Sequence, residues 1–230
     1  MSDITTADFG VVVYSDIACP WAHIAVHRLD RAIRARGVAS EFSVDHRAFP
    51  LEVVNGRPTP KQLLDSEVRV CAEVEPDAGW SFDPDPWTYP VSTLPALEAV
   101  QAAKAQGPDV SVRLDRALRR AMFADWRCLA VHAVVFEIAA TVDGVDVDAL
   151  RDAVRSGDAR ADVWTQLDAA VQADIPGSPT FVLPDGTRAH NPGIELRQDD
   201  EGDGSIVVDV DDHEAIGALV DAAVALRPAD

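Results

Sequence analysis

Apolar and polar residues follow different rhythms along this chain, and each rhythm predicts an element. Phe9 to Tyr14 is a short apolar, β-rich run and reads as a buried strand. From Trp21 to Arg36 the period becomes helical: Ala25, Leu29, Ala32 and Ile33 fall at steps of four and three and share one face. Arg31, Arg34 and Arg36 suit the negative C-terminal end of that helix, and Gly37 supplies the residue that stops it. Glu41 to His46 alternates polar with apolar, as a strand with one solvated face does. A β-α-β unit is complete by residue 48.

The middle of the chain keeps the helical period. Helices are predicted over residues 59–72, 94–106, 110–124, 127–142, 147–156 and 159–173. Ser92 can cap the second, Gly107-Pro108 ends it, and Gly144 and Gly157 punctuate the rest. Residues 74–91 carry four prolines and two tryptophans and should be irregular. The last third returns to β structure. Pro179 to Leu183 reads as a strand, Pro184-Asp185-Gly186-Thr187 as a hairpin turn, and a return strand should start near Thr187. The acidic, glycine-bearing stretch Asp199 to Gly204 reads as a solvated loop, followed by a strand over 205–210. Asp211 or Asp212 can cap a final helix that runs to Ala225. The order is β-α-β, a block of six helices, then β-β-α. That is the order of an α/β thioredoxin fold interrupted by an inserted all-helical domain; a helical domain beside a small sheet is the alternative. The predicted parts are residues 1–58, 59–174 and 175–230, the outer two forming one fold.

Composition narrows the function. At 230 residues the chain suits one large domain, or one carrying an insertion. A net charge of −19, with only Lys61 and Lys104 as lysines, argues against nucleic acid and against anionic membrane surfaces. No apolar run approaches the ~20 residues of a membrane helix. Met1 to Asp8 lacks the basic and apolar regions of a secretory signal, so a cytoplasmic protein is expected. The three cysteines, Cys19, Cys71 and Cys128, form no close pair, and the six histidines are scattered. No metal spacing is present and no bound cofactor is expected.

The chemistry concentrates at Cys19-Pro20-Trp21-Ala22, where a strand hands over to a helix. Unpaired N–H groups at a helix N-terminus favour thiolate over thiol, and the thiolate is the nucleophile. A second cysteine at the fourth position would make a dithiol redox motif; Ala22 stands there instead.

Two segments carry a resemblance. Ser15-Asp16-Ile17-Ala18-Cys19-Pro20-Trp21 resembles the active-site turn of DsbA-like thiol–disulfide oxidoreductases whose motif is C-P-W-C. Ile175-Pro176-Gly177-Ser178-Pro179-Thr180-Phe181-Val182 resembles that family's cis-proline loop. His46 to Leu51 and Leu118 to Phe123 are similar to its strand end and helical insert. The resemblance implies that Cys19 is the nucleophile, that Pro20 and Trp21 shape one wall, and that Pro179 is cis and packs on Cys19. It also implies that Ser178 backbone groups pair with an extended substrate, a thiol or disulfide carried by a protein or a small molecule.

Because Ala22 cannot resolve a mixed disulfide, four readings stand. The first is a monothiol oxidoreductase, resolved by a low-molecular-weight thiol co-substrate or by another cysteine of the chain. Cys128, at the start of an apolar helix in the insert, is the internal candidate, and Cys71 reads as structural. The second is a thiol-dependent transferase or isomerase, resembling kappa-class glutathione transferases and hydroxychromene carboxylate isomerases, which carry Ser where Cys19 stands. The third is a peroxide or electrophile sensor, and the fourth a non-catalytic thioredoxin-fold binder, with a homodimer compatible with each.

Other residues each have a plainer role open beside a chemical one. His23, one helical turn after Cys19, either faces the sulfur as an imidazolium or lies solvated on a polar face. Asp16 is expected to fix the turn through a backbone N–H. Trp80, Trp87 and Trp126 either line a pocket or fill the helical core. Arg119 and Arg120 either bind a carboxylate or are solvated. Asp115 and Asp125 show no metal-ligand pattern.

Overall fold

The computed structural model describes residues 9–82, 84–199 and 206–227. The N-terminal segment 1–8 and the acidic stretch 200–204 lie outside the described residues. Strand β1 (Gly10–Ser15) leads to helix α1 (Pro20–Ala35) and strand β2 (Ser43–Ala48). Seven helices follow: α2 (Leu51–Val54), α3 (Lys61–Val74), α4 (Leu94–Ala103), α5 (Pro108–Phe123), α6 (His132–Ala139), α7 (Val147–Ser156) and α8 (Asp158–Gln172). Strands β3 (Thr180–Val182) and β4 (Arg188–His190) return to the sheet. A ribbon of β5 (Ile194–Gln198) and β6 (Ile206–Asp211) and the helix α9 (Ala215–Ala225) end the described chain.

The main sheet has the order β2-β1-β3-β4, with β1 parallel to β2 and antiparallel to β3. Period-two alternation sends β1 side chains to two cores. Val11 and Val13 pack with Ala25, Leu29 and Ile33 of α1 and Ile216 and Val220 of α9. Val12 and Tyr14 pack on the opposite face with Leu167 and Ala170 of α8 and with Phe49. Helices α3 to α8 stand between β2 and β3 in sequence and share a third core that includes Leu64, Leu114, Leu118 and Leu129. This is a thioredoxin fold interrupted by a helical insertion, as the order of elements in the sequence predicts. Among the described residues no helix is long and apolar enough to cross a membrane.

Three details differ from the sequence reading. The strand Ile194–Gln198 was not expected, and it takes β6 out of the main sheet into a separate two-stranded ribbon. The apolar run expected as a helix over 127–142 is helical only from His132 to Ala139. Trp126, at φ 47°, breaks the chain direction after α5, and Val131 is still extended. The helix expected to reach Gln106 gives way to a tight 3₁₀ turn at Lys104, before Gly107 turns the chain at φ 139°.

Candidate functional site

Cys19 is the N-cap of α1. Its backbone is extended (φ −79°, ψ 113°), Pro20 takes the first helical position, and the Ala22 N–H donates to Cys19 Sγ at 3.4 Å. A proline there loses no hydrogen bond, since that N–H has no partner in a helix anyway. The Ser178–Pro179 peptide bond is cis. Two bonds join this loop to the Cys19 turn: the Asp16 N–H donates to Ser178 Oγ at 3.0 Å, and the Cys19 thiol donates to the Ser178 carbonyl at 3.3 Å.

Buried polar groups hold the turn in place. Asp16 accepts from the Ala18 N–H (2.9 Å), the Leu51 N–H (2.7 Å) and Thr93 Oγ1 (2.8 Å), which is the bracing role expected of it. Burial raises its carboxyl above the usual range although these bonds act in the other direction. Arg119 is buried. It pairs with Asp115 at 2.7 Å and donates to the Asp16 carbonyl (2.8 Å) and Ser15 Oγ (2.7 Å), so it is neither solvated nor open to a substrate carboxylate. Arg120 is exposed.

Cys19 is 4% exposed. It belongs to a small apolar cluster with Trp21, Ala22, Ile24, Cys71 of α3 and Ile194 of β5; Ile206 and Val208 of β6 pack against the same cluster. Helix α3 docks here through the Trp21 indole, which donates to Glu67 Oε1 at 3.2 Å. Burial is the largest influence on the thiol and pushes it up to about 11. Ser178 and the Ala22 N–H act to lower it, while the charges of Glu67 and Asp16 raise it further. The expectation of an acidic thiol is therefore corrected for the resting protein: desolvation outweighs the helix N-terminus, and Cys19 is a thiol at neutral pH.

His23 is also corrected. It is buried rather than solvated, bonds the Ala78 carbonyl at 3.0 Å, and packs against Trp80 and Phe123 with ring centroids 4.9 Å away in each case. Burial first, and then the nearby Arg119, lower its pKa to about 4. It is neutral at pH 7 and supplies no positive charge to Cys19. Trp126 is core, Trp80 is half-buried with its indole on the Glu75 carbonyl, and Trp87 is exposed; they form no common wall. Cys128 is half-buried on the loop between α5 and α6. Sequence reasoning missed Glu67 and the position of Cys71, because no spacing signals the docking of α3 on α1. Among the described residues no cluster of ligating side chains suits a metal ion.

A cleft of about 410 Å³ between α1 and α5 is lined by His23, His27, Arg116, Arg119 and Arg120 among others, and Cys19 is not part of its wall. Ile194, Ile206 and Val208 of the ribbon pack over the cluster that holds the sulfur.

The model of the DSBA-like thioredoxin domain family matches residues 10–199. The fold is similar to that of the probable DsbA oxidoreductase SCO1869 from Streptomyces coelicolor (TM-score 0.68, 22% identity, 96% of this chain and 92% of that one). It is also similar to the cytosolic disulfide reductase DsbM from Pseudomonas aeruginosa (TM-score 0.62, 17% identity, 94% and 99%), a protein also solved with GSH. A third similar structure is 2-hydroxychromene-2-carboxylate isomerase (TM-score 0.57, 17% identity, 78% and 87%). No curated protein matches the sequence.

Proposed function

Since this chain belongs to the DSBA-like thioredoxin domain family, we propose that it is a thiol–disulfide oxidoreductase that works through one nucleophilic sulfur, Cys19. The observation that carries the reading is the seat of that sulfur: a helix N-cap, with the Ala22 N–H on one side and the Ser178 carbonyl on the other.

The resting geometry stores the sulfur as a thiol. Its proton is given to Ser178 O, the same carbonyl that an extended substrate would use. When a disulfide substrate displaces the ribbon residues Ile194, Ile206 and Val208, water and substrate replace the apolar cover. Desolvation, the chief reason for the high pKa, is then removed. The Ala22 N–H and the N-terminal end of α1 remain to stabilise the thiolate. Cys19 attacks one sulfur of the substrate, and the other sulfur leaves as a thiolate that takes up a proton. The product is a mixed disulfide on Cys19. A low-molecular-weight thiol of the glutathione class returns Cys19 to the reduced state by the reverse exchange; the structure of DsbM with GSH supports this co-substrate class. Pro20, Trp21, Ser178 and Pro179 form the wall around the sulfur. We place the reaction in the cytoplasm, in line with the cytosolic DsbM. The charge of −19 disfavours nucleic acid and anionic membrane surfaces as partners.

The test is exposure of the reduced protein to oxidised glutathione, with each thiol followed by peptide mass spectrometry, beside Cys19→Ser. Loss of the Cys19 thiol with release of reduced glutathione, absent in the variant, is the expected result. A Cys19 that stays free under turnover conditions overturns the reading and leaves a binder. Conjugation of an electrophile to reduced glutathione, with Cys19 unchanged, selects the transferase reading instead.

A further inference from the structure

Ala22 removes the usual second thiol from the α1 turn, but the fold brings another cysteine to the same place from a distant part of the chain. Helix α3 buries a stripe of Leu64, Val68 and Cys71, at steps of four and three. Glu67 and Cys71 are one helical turn apart and so lie on neighbouring parts of that surface. Glu67 receives the Trp21 indole, which fixes this part of α3 against the first turn of α1. Cys71 then falls into the closed apolar cluster that contains Cys19, Trp21 and Ala22. Cys71 is fully buried, as Cys19 nearly is, and both cysteines are free. Cys128, by contrast, is half-buried on the α5–α6 loop and is not in this cluster.

From this juxtaposition we propose that Cys71 is the resolving thiol for Cys19. The inference rests on the reading of Cys19 as an exchanging sulfur. After Cys19 has formed a mixed disulfide Cys19–S–S–R, the Cys71 thiolate attacks Cys19 Sγ. The bond from Cys19 to the R sulfur breaks, and RS⁻ takes up the proton that Cys71 gave up. The sum of both steps is one substrate disulfide reduced to two thiols and one Cys19–Cys71 disulfide formed, a transfer of two electrons. Two equivalents of a small thiol reverse the sequence and restore both cysteines.

Burial gives the division of labour. The pKa of Cys71 lies far above the ordinary thiol range, first because of desolvation and then because of the charges of Glu67 and Cys19. A thiol that is covered and protonated does not react with solutes. Its thiolate forms when the mixed disulfide opens the cluster and relieves that desolvation, and the rate of its attack then follows the thiolate fraction as well as its nucleophilicity. Closing the bond needs the two Cα atoms within ~7 Å, so the exchange itself reports whether α3 and α1 reach that distance. A plain packing role for Cys71 within its apolar stripe is the competing account, and it predicts no redox consequence.

The experiment uses the full chain and oxidised glutathione in excess, with intact mass and non-reducing peptide maps as readouts. Wild-type protein should lose the Cys19 and Cys71 thiols together and yield a linked Cys19–Cys71 peptide. Cys71→Ala should instead accumulate the glutathione adduct on Cys19, at least tenfold above wild type; Cys128→Ser should behave as wild type. Equal adduct on wild type and Cys71→Ala, or a Cys19–Cys128 link, overturns the assignment. No loss of the Cys19 thiol in any of the proteins overturns the exchange reading itself and this inference with it. Should Cys71→Ala fail to fold, Cys71→Val keeps the site filled, and the linked peptide of wild type needs no variant at all.

Discussion

Helix α3 is tied to α1 at two places only a turn or two apart, and the two contacts treat burial in opposite ways. At one, Cys19 and Cys71 sit among apolar side chains, and the loss of water keeps both thiols protonated. At the other, Glu75 is 3% exposed yet remains a carboxylate. Burial alone would raise it, but Arg28 Nε at 2.6 Å and Arg31 Nη1 at 2.9 Å outweigh that and hold it below the usual range. Arg28 reaches Asp211 at 2.8 Å in turn, so the same ionic cluster ties the end of β6, and hence the ribbon, to α1. Burial therefore does not fix the charge state of a group. What counts is whether a counter-charge has been buried with it. The apolar contact keeps two buried thiols in neutral form, and the ionic contact ties the ribbon that packs against them to α1.

The largest effect is expected from breaking the ionic side. Glu75→Gln keeps the shape but leaves Arg28, itself buried, with less compensation. Removing one member of a buried pair costs about 3 kcal/mol or more. Chemical denaturation should show that loss as a lower midpoint. Cys19 should also become more open to alkylation in native buffer, because the ribbon covering it has lost part of its anchor. A variant as stable as wild type would show that the cluster is a solvated surface network instead.

The next prediction tests the apolar side directly. Alkylation of Cys19 followed against pH should have its midpoint near 11, against ~8.5 for a free thiol. The sign follows from burial: the folded state favours the neutral form, so reactivity is low at pH 7 and rises only in strong alkali. The same shift makes the fold lose stability as pH rises from the ordinary thiol range through 11. A Cys19 midpoint below the free value would mean that the helix N-terminus wins over desolvation and that the resting ribbon is open.

The two contacts also differ in how far the sequence revealed them. The turn Ser15–Trp21 and the loop Gly177–Val182 were legible as motifs because each is local, and the fold brings them together as Cys19 Sγ and Ser178 O. Strand β1, helix α1 and the helical block were legible through their periods. Strand β5 was not, since Ile194-Glu195-Leu196-Arg197-Gln198 has only two apolar residues and gains its order from pairing with β6 beyond an acidic stretch. Nor was the neighbourhood of Cys71: the spacing of α3 shows that Cys71 faces inward, but not which helix it faces. The burial of His23 is hidden from the sequence for the same reason. Its place one turn after Cys19 is local, while its burial depends on Ala78, Trp80 and Phe123, all distant in sequence.

The smallest effect separates charge from burial within the apolar contact itself. The negative charge of Glu67 raises both thiols. Glu67→Gln removes that charge while its amide oxygen can still accept from the Trp21 indole, so the docking of α3 is kept. With one negative charge less nearby, the Cys19 thiolate is less disfavoured and its pKa falls from about 11. At pH 9, well below that value, the alkylation rate follows the thiolate fraction. A fall of one pKa unit would multiply the rate by about ten; since desolvation is the larger cause, a two- to fivefold rise is expected, with Cys128 as the internal reference. An unchanged rate would mean that burial alone sets the thiol. A slower rate would mean that Glu67 takes the proton from Cys19 as the thiolate forms, and the carboxylate would then belong to the reacting groups rather than to the surrounding field.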